Sequence, residues 1–457
     1  MTHVEQMAAF VATTSYDLLS ETAREQLKLR VLDSLGCALG ALGSEPIRLI
    51  RAHTEQLGGT GHCTLFGGGR TAPDRAAFFN SALIRYLDFN DSYLAKEETC
   101  HPSDNVAPVL AAAEYAKRDG RDFLAALGVA YQVQCRLSDE APVRAKGFDH
   151  TTQGSYAVAA GVSRALGLDQ SRTANALAIS GTAFNALRVT RTGALSHWKG
   201  LAYPNTAFAC THATLLARQG ITGPREVFEG NKGFMDAIAG RFQIDWSRED
   251  LERVTRTILK KYNAEIHSQS AIEGILELRQ EQNFQAAEVD QIELETFDVA
   301  YNIIGGGEEG EKRTVRTKEE ADHSLPYMVA IAVLDGQLMP EQYLSDRVSR
   351  PDVQNLLRRV TVRPDRELSQ CFPDQMPYRF TVRLLDGREL TREKTEYEGF
   401  HTRPMHWETV VKKFERLSEP YTTPMLRREI VEAVARLDAI RIADLTSLLS
   451  QAQPLSG

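Results

Sequence analysis

Residues 20–42 read SETAREQLKLRVLDSLGCALGAL, with Leu27, Val31, Leu35 and Leu39 recurring every fourth position. That spacing draws one apolar stripe along an α-helix, and Ser20 ahead of the run supplies an N-cap. The same texture returns in DNVAPVLAAAEYAKRDG (104–120), FLAALGVAYQVQCRL (123–137), SYAVAAGVSRALG (155–167) and AFACTHATLLARQG (207–220). Gly120, Gly167 and Gly220 read as helix stops, and Asp104 as a second cap. The stretch from about residue 16 to about 275 is therefore expected to be wholly helical, with many Ala and Gly residues that let helices approach closely.

Beyond residue 285 the period changes to two. VDQIELETF (289–297), RRVTVRPD (358–365) and YRFTVRLLDGRELTREKTEY (378–397) alternate apolar and polar residues, and Asp386-Gly387 is a hairpin turn signal. HSLPYMVAIAVLDGQ (323–337) and PEQYLSD (340–346) read as helices among these strands, and HWETVVKKFERL (406–417) and MLRREIVEAVARL (425–437) restore the helical pattern. The expected fold is mainly α: a large all-helical domain begins at 1–267, a smaller α+β lid domain is inserted at 268–404, and helices at 405–457 return to the first domain.

Composition narrows the function classes. The chain has 457 residues, a net charge of −8 and 25% charged residues, with Lys and Arg dispersed. No nucleic-acid footprint is written in that pattern. No run approaches the ~20 apolar residues of a membrane span, and MTHVEQMAAFVATTSYDLL lacks a basic region ahead of an apolar core, so a cytoplasmic protein is expected. Six scattered cysteines without a CxxC spell neither a zinc ribbon nor a disulfide framework. The glycine clusters GGTGHC (58–63) and FGGGR (66–70) lack the strand–loop–helix context of a dinucleotide site, and GGGEEGEKR (305–313) puts carboxylates where a phosphate loop needs positive potential.

The densest chemistry lies in DFNDSYLAKEETCHPSDN (88–105). Asp88 and Asp91 at i, i+3 would share one face at the C-terminal end of a helix, where two carboxylates need a positive partner. A metal or a histidine would serve, and a solvated charged loop is the bland alternative. A metal would need a second acidic cluster, and none is persuasive. His101, ten residues after Asp91, is a general acid or base candidate in a loop broken by Pro102. Further candidates are His150; Arg188, Arg191, His197 and Lys199 in LRVTRTGALSHWKG; Lys261, Tyr262 and His267 in KKYNAEIHSQSA; and His323 in ADHSLPY. Together these cations and imidazoles suit a polyanionic substrate.

RYLDFNDSYLAKEETCHPSDN, NALRVTRTGALSHWKGLAYPNTAFA, VFEGNKGFMDAI and ADHSLPYMVAIAVLDG, spread over most of the chain, resemble the MmgE/PrpD family, and its 2-methylcitrate dehydratase branch more closely than its cis-aconitate decarboxylase branch. The resemblance implies a helical domain with an α/β lid, a homodimer, and a lyase reaction on a small tricarboxylate that needs no cofactor, metal or iron–sulfur cluster. It implies that Asp91, His101 and His150 are catalytic and that Lys199 and His267 bind substrate. Lys261 or Tyr262 falls near a further basic position of the family. The chemistry adds Arg191 as a weaker carboxylate ligand and Asp104 as a ligand for a substrate hydroxyl or a helix cap. The expected reaction is dehydration of 2-methylcitrate, with citrate a further substrate, and with cis-aconitate decarboxylation or epimerisation of a small polycarboxylate as the alternatives on the same fold.

Overall fold

A computed structural model describes residues 1–193 and 195–455. The helices that position the functional residues are α1 (Glu21–Gly40), α2 (Pro73–Tyr86), α3 (Val106–Tyr115), α4 (Gly120–Glu140), α5 (Thr151–Leu166), α6 (Trp198–Arg218), α7 (Gln269–Gln282), α8 (Leu325–Asp335), α9 (Trp407–Ser418) and α10 (Ile442–Leu449). Among the described residues four strands form the one extended sheet: β1 (Val289–Thr296), β2 (Val360–Pro364), β3 (Tyr378–Leu384) and β4 (Glu389–Lys394). The protein is mainly helical, as the 3.6-residue periodicity demands, and no helix among the described residues is long and apolar enough to cross a membrane.

The chain divides into two units. The first comprises Met1–Arg188, Gly200–Thr257 and His406–Gly457, and the second Val189–Lys199 and Ile258–Met405. The second thus takes in residues 189–199 and 258–267, which the sequence pattern alone leaves with the helical stretch. Long-range hydrogen bonds explain the difference. The Leu259 amide donates to Gly399 O at 3.0 Å, Tyr397 Oη donates to Leu259 O at 2.8 Å, and Lys199 Nζ donates to Asp322 at 2.7 Å.

In the first unit α4 packs on α5, α2 on α3, and α9 on α1. The stripe expected in residues 20–42 is buried in α1, with Leu27, Leu35 and Leu39 fully buried and Val31 1% exposed, each side chain contributing about 1.5–3 kcal/mol of apolar transfer; the rest of the helix from Leu27 to Leu39 is buried as well. Ser20 caps this helix, its Oγ accepting from the Ala23 amide at 3.0 Å. Two of the other boundaries differ from the sequence reading. Gly120 does not stop a helix; it is the first residue of α4, behind Asp119, whose carboxylate caps the Asp122 amide at 3.0 Å. A Cβ at Gly120 would lie 1.6 Å from the Leu437 carbonyl oxygen, so close approach fixes the glycine. Asp104 is not an α3 cap either: it lies inside a 3₁₀ turn, Pro102–Asn105, and α3 starts at Val106 without a side-chain cap.

In the second unit the sheet order is β2-β1-β3-β4, with β1 parallel to β2 (Ile292 opposite Val360) and antiparallel to β3 (Leu294 opposite Phe380). β3 shows the expected alternation, burying Tyr378, Phe380, Val382 and Leu384. The Asp386-Gly387 turn joins β3 to β4, with Gly387 at φ +88°, a conformation that favours glycine. α7 packs against β3, β4 and α8, and α8 against β2.

Candidate active site

The acidic stretch of residues 88–105 is not an extension of α2. The helix ends at Tyr86, and Asp88 takes a left-handed φ of +54°, so Asp88 and Asp91 do not share a helical face. The positive partner of Asp88 is Arg85, in the last turn of α2 and 3% exposed. Its guanidinium pairs with Asp88 and lies 3.7 Å from Asp104 Oδ2. Asn90 Nδ2 donates to Asp104 Oδ1 and to Ser103 Oγ, both at 2.9 Å. Asp104 is thereby held by protein partners, which replaces the expected helix cap and gives its carboxylate an internal role. Arg85 lies only three residues before Asp88 in sequence, but the pair forms across the end of α2 and not along one helical face.

A short antiparallel pairing of Tyr93–Leu94 with Thr99–Cys100 folds this stretch back on itself and returns His101 to Asp91. His101 Nδ1 lies 2.8 Å from the Asp91 main-chain oxygen and 3.0 Å from Ser92 Oγ. A carbonyl oxygen only accepts, so Nδ1 carries the proton and, in the neutral ring, Nε2 carries the lone pair. The expected partnership of Asp91 with an imidazole therefore runs through its carbonyl. Its carboxylate instead accepts from the Ser103 amide at 3.0 Å and from Tyr131 Oη at 2.8 Å. Burial pushes the Asp91 carboxyl above its ordinary range, opposed by the hydrogen bonds from Ser103 and Tyr131 and by the charge of Arg30.

His150 enters at the start of α5. Its ring centroid is 5.3 Å from that of His101, with the planes at 74°. Both imidazoles are buried, at 8% exposure for His101 and 3% for His150. Asp149 Oδ1 lies 3.6 Å from His150 Nε2, longer than a hydrogen bond. On the other side Tyr203 of α6 stacks on His150 at 6.1 Å between centroids and 24° between planes. Tyr203 Oη is bonded to Asn105 Oδ1 at 2.9 Å and to Gln134 Oε1 at 3.1 Å, which fixes its ring. Gly154 makes room for it, since a Cβ there would meet the Tyr203 ring at 2.6 Å. The first unit thus brings together Asp91, His101, His150 and Asp104. The sequence reading missed Arg85, Ser92, Tyr131 and Tyr203; the last three carry no local signal, because only folding brings them to the histidines.

Lys199, Arg191, His267, Lys261 and Tyr262 belong to the second unit. Lys199 Nζ, 3% exposed as a residue, contacts Asp322 Oδ1 at 2.7 Å and His323 Nδ1 at 2.9 Å. Arg191 Nη1 donates to Lys199 O at 3.0 Å, holding the main chain at that lysine. Burial would raise the Asp322 carboxyl, but Lys199, Lys318 and His323 outweigh it and hold the group well below the carboxylate range. His267 is fully buried; Nδ1 meets Glu265 Oε1 at 2.7 Å, and its ring lies beside Phe297 and Phe372. Burial likewise raises the Glu265 carboxyl, yet His267, His323 and Lys260 bring it down to about 2. Lys261 is committed to Glu273 and Glu398 at 2.8 and 2.9 Å, and Tyr262 lies 5.7 Å from its Nζ. Lys260, fully buried beside this group, is the cation that the sequence reading passed over in favour of its neighbour.

Two family models account for most of the chain: the MmgE/PrpD N-terminal domain matches residues 5–247 and the MmgE/PrpD C-terminal domain residues 262–439. The chain belongs to the MmgE/PrpD family. Among similar curated proteins are a 2-methylcitrate dehydratase of Cupriavidus necator, 29% identical over 85% of this chain and 84% of that protein, and a probable 2-methylcitrate dehydratase of Saccharomyces cerevisiae, 28% identical over 98% and 90%. A cis-aconitate decarboxylase of Mus musculus is 26% identical over 94% and 88%. The protein is an enzyme of the dehydratase type, a hydro-lyase.

Proposed function

We propose that the protein dehydrates 2-methylcitrate to 2-methyl-cis-aconitate by acid–base elimination, with protein groups supplying both proton transfers. The carrying observation is the pair of buried imidazoles, His101 and His150, 5.3 Å apart between centroids and held by different partners. Elimination must break a weakly acidic C–H bond beside a carboxylate and expel hydroxide, a poor leaving group. A base and an acid on neighbouring atoms meet both demands. His101 is the base, because the Asp91 carbonyl keeps the proton on Nδ1 and the lone pair on Nε2. His150, with a carboxylate 3.6 Å from one ring nitrogen, is the proton donor to the departing hydroxyl. The C–H electron pair becomes the new alkene bond, the hydroxyl leaves as water, and a proton returned from His101 to solvent and one regained by His150 reset the pair.

Substrate carboxylates need cations, and Lys199 and His267, with Arg191 in support, are the residues proposed for them. Lys261 and Tyr262 are weaker candidates, because Lys261 is already neutralised by two carboxylates. Asp104, tied to Asn90 and Arg85, is a positioning residue in this scheme. The similarity to a cis-aconitate decarboxylase supports a second reading, loss of carbon dioxide from a related tricarboxylate.

One experiment separates them. The purified protein, before and after exhaustive chelation, is incubated with 2-methylcitrate, citrate and cis-aconitate while alkene absorbance and carbon dioxide are followed. Alkene formation from 2-methylcitrate that survives chelation is the expected result. Carbon dioxide from cis-aconitate without alkene formation would replace dehydration by decarboxylation, and activity lost on chelation and restored by a divalent ion would replace the metal-free scheme.

A further inference from the structure

We infer that the first unit carries a second anion site, separate from the imidazole pair, that takes a small, multiply charged oxyanion. A cavity of about 700 Å³ is lined by Arg70, Lys117, Arg118 and Arg441, with Glu114 as its carboxylate. That volume falls within the range of small-molecule sites, roughly 300–1,000 Å³. The two glycine clusters that match no dinucleotide fingerprint, GGTGHC and FGGGR, contribute Gly61, Gly68 and Gly69 to its wall. Gly68 and Gly69 have φ of +101° and +85°, so this part of the wall is bare backbone that a ligand can approach closely. FGGGR brings one cation of its own, Arg70, and Lys117, Arg118 and Arg441 arrive from residues far away in sequence.

The charges do not cancel inside the cavity. Glu114 is fully engaged: it accepts from the Thr64 amide at 2.8 Å, Thr64 Oγ1 at 2.6 Å and Thr446 Oγ1 at 3.1 Å, and pairs with Arg70 at 3.3 Å. Arg70 also donates to the carbonyls of Gly61 and His62, at 2.9 and 2.8 Å. Arg118 donates to Ala165 O at 2.9 Å and pairs with Asp122 at 3.4 Å. Lys117 and Arg441 are exposed, and among the described residues neither side chain forms an ion pair; Asp444 meets Arg441 only through its main-chain amide, at 3.1 Å. Asp119 and Arg441 form an isolated backbone bridge, and the Ile442 amide donates to Arg118 O at 3.1 Å, so the chain segments bearing these cations are fixed together. Ser447, on α10, adds a neutral hydroxyl to the lining, and Ser450, just past the end of the helix, donates its own to Ser447 O at 2.7 Å.

Two cations outside any ion pair, a serine hydroxyl and exposed glycine backbone in one concavity are what a phosphate ester or a di- or tricarboxylate requires. The site lies at the end of α3 opposite the Pro102–Asn105 turn that follows His101. The test is calorimetric titration of the full chain with pyrophosphate and, separately, with citrate, for the wild type, K117A/R441A and the charge-reversed K117E/R441E. Expected are saturable wild-type binding that weakens with salt, a loss on the order of tenfold or more in the double variants, and unchanged turnover without added anion. Tighter pyrophosphate than citrate identifies a phosphate ester, and the reverse a polycarboxylate. Equal affinity in wild type and variants, with competition against substrate, would place the anion at the catalytic residues and overturn the inference. Absence of saturable binding below about 10 mM in the wild type would overturn it as well.

Discussion

Replacing Arg85 by Met tests the architecture that holds the histidines. The change keeps a long apolar stem and removes one charge from a site where Arg85, Asp88 and Asp104 side chains are 3%, 6% and 1% exposed. At the 3.7 Å separation of Arg85 Nε and Asp104 Oδ2, a unit pair is worth roughly 4 kcal/mol with an effective dielectric of about 20. Breaking such a buried pair leaves two carboxylates uncompensated, at a typical cost of about 3–5 kcal/mol. With a urea slope of about 2–3 kcal/mol/M, the unfolding midpoint should fall by about 1–2 M. Turnover should fall too, since Asn90 and Asp104 hold the turn whose Ser103 amide fixes Asp91. Adding Asp88→Asn to R85M should recover part of the loss by removing one orphaned charge. A midpoint for R85M within about 0.2 M of wild type, followed by fluorescence and near-ultraviolet circular dichroism, would refute the reasoning.

Other expectations follow from particular contacts. His101→Ala and His150→Ala should fold, by circular dichroism, yet lose on the order of 10²-fold or more in turnover; near-normal rates in either folded variant would remove that residue from the mechanism. Glu265 has its folded pKa lowered to about 2 from an ordinary 4.5, so its contribution is present above about pH 5 and is lost as pH falls through 4.5 towards 2. That contribution is at most about 3 kcal/mol, so Glu265→Gln should flatten the acid limb of a stability–pH profile, and an unaltered limb would contradict the assignment. Gly120→Ala forces a Cβ against the Leu437 carbonyl and should destabilise by about 1–3 kcal/mol in denaturant titration, whereas a neutral result would mean that the contact relaxes freely.

Periodicity is a local property, and it sufficed for much of the fold. The apolar stripe of residues 20–42, the alternation of residues 378–384 and the Asp386-Gly387 turn each follow from neighbours along the chain. Boundaries set by distant contacts were not legible. Gly120 looks like a helix stop because glycine often is one, and only the Leu437 carbonyl pressed against it explains its place at a helix start. Residues 189–199 read as part of a helical run, but Lys199 is bonded to Asp322, more than a hundred residues away.

The candidate site divides in the same way. By itself the sequence determined the candidates, since residue type and the MmgE/PrpD resemblance marked Asp91, His101, His150, Lys199 and His267 as chemically apt side chains. Only the tertiary structure decided which atoms meet. The Asp91 carbonyl faces His101 Nδ1 while its carboxylate turns to Ser103 and Tyr131. Tyr203 stacks on His150, Arg85 joins Asp88 to Asp104, and Lys117 comes to share a cavity with Arg441. Such pairings depend on hydrogen bonds a few ångströms long between residues tens to hundreds of positions apart, and no local pattern in the chain encodes a distance of that kind.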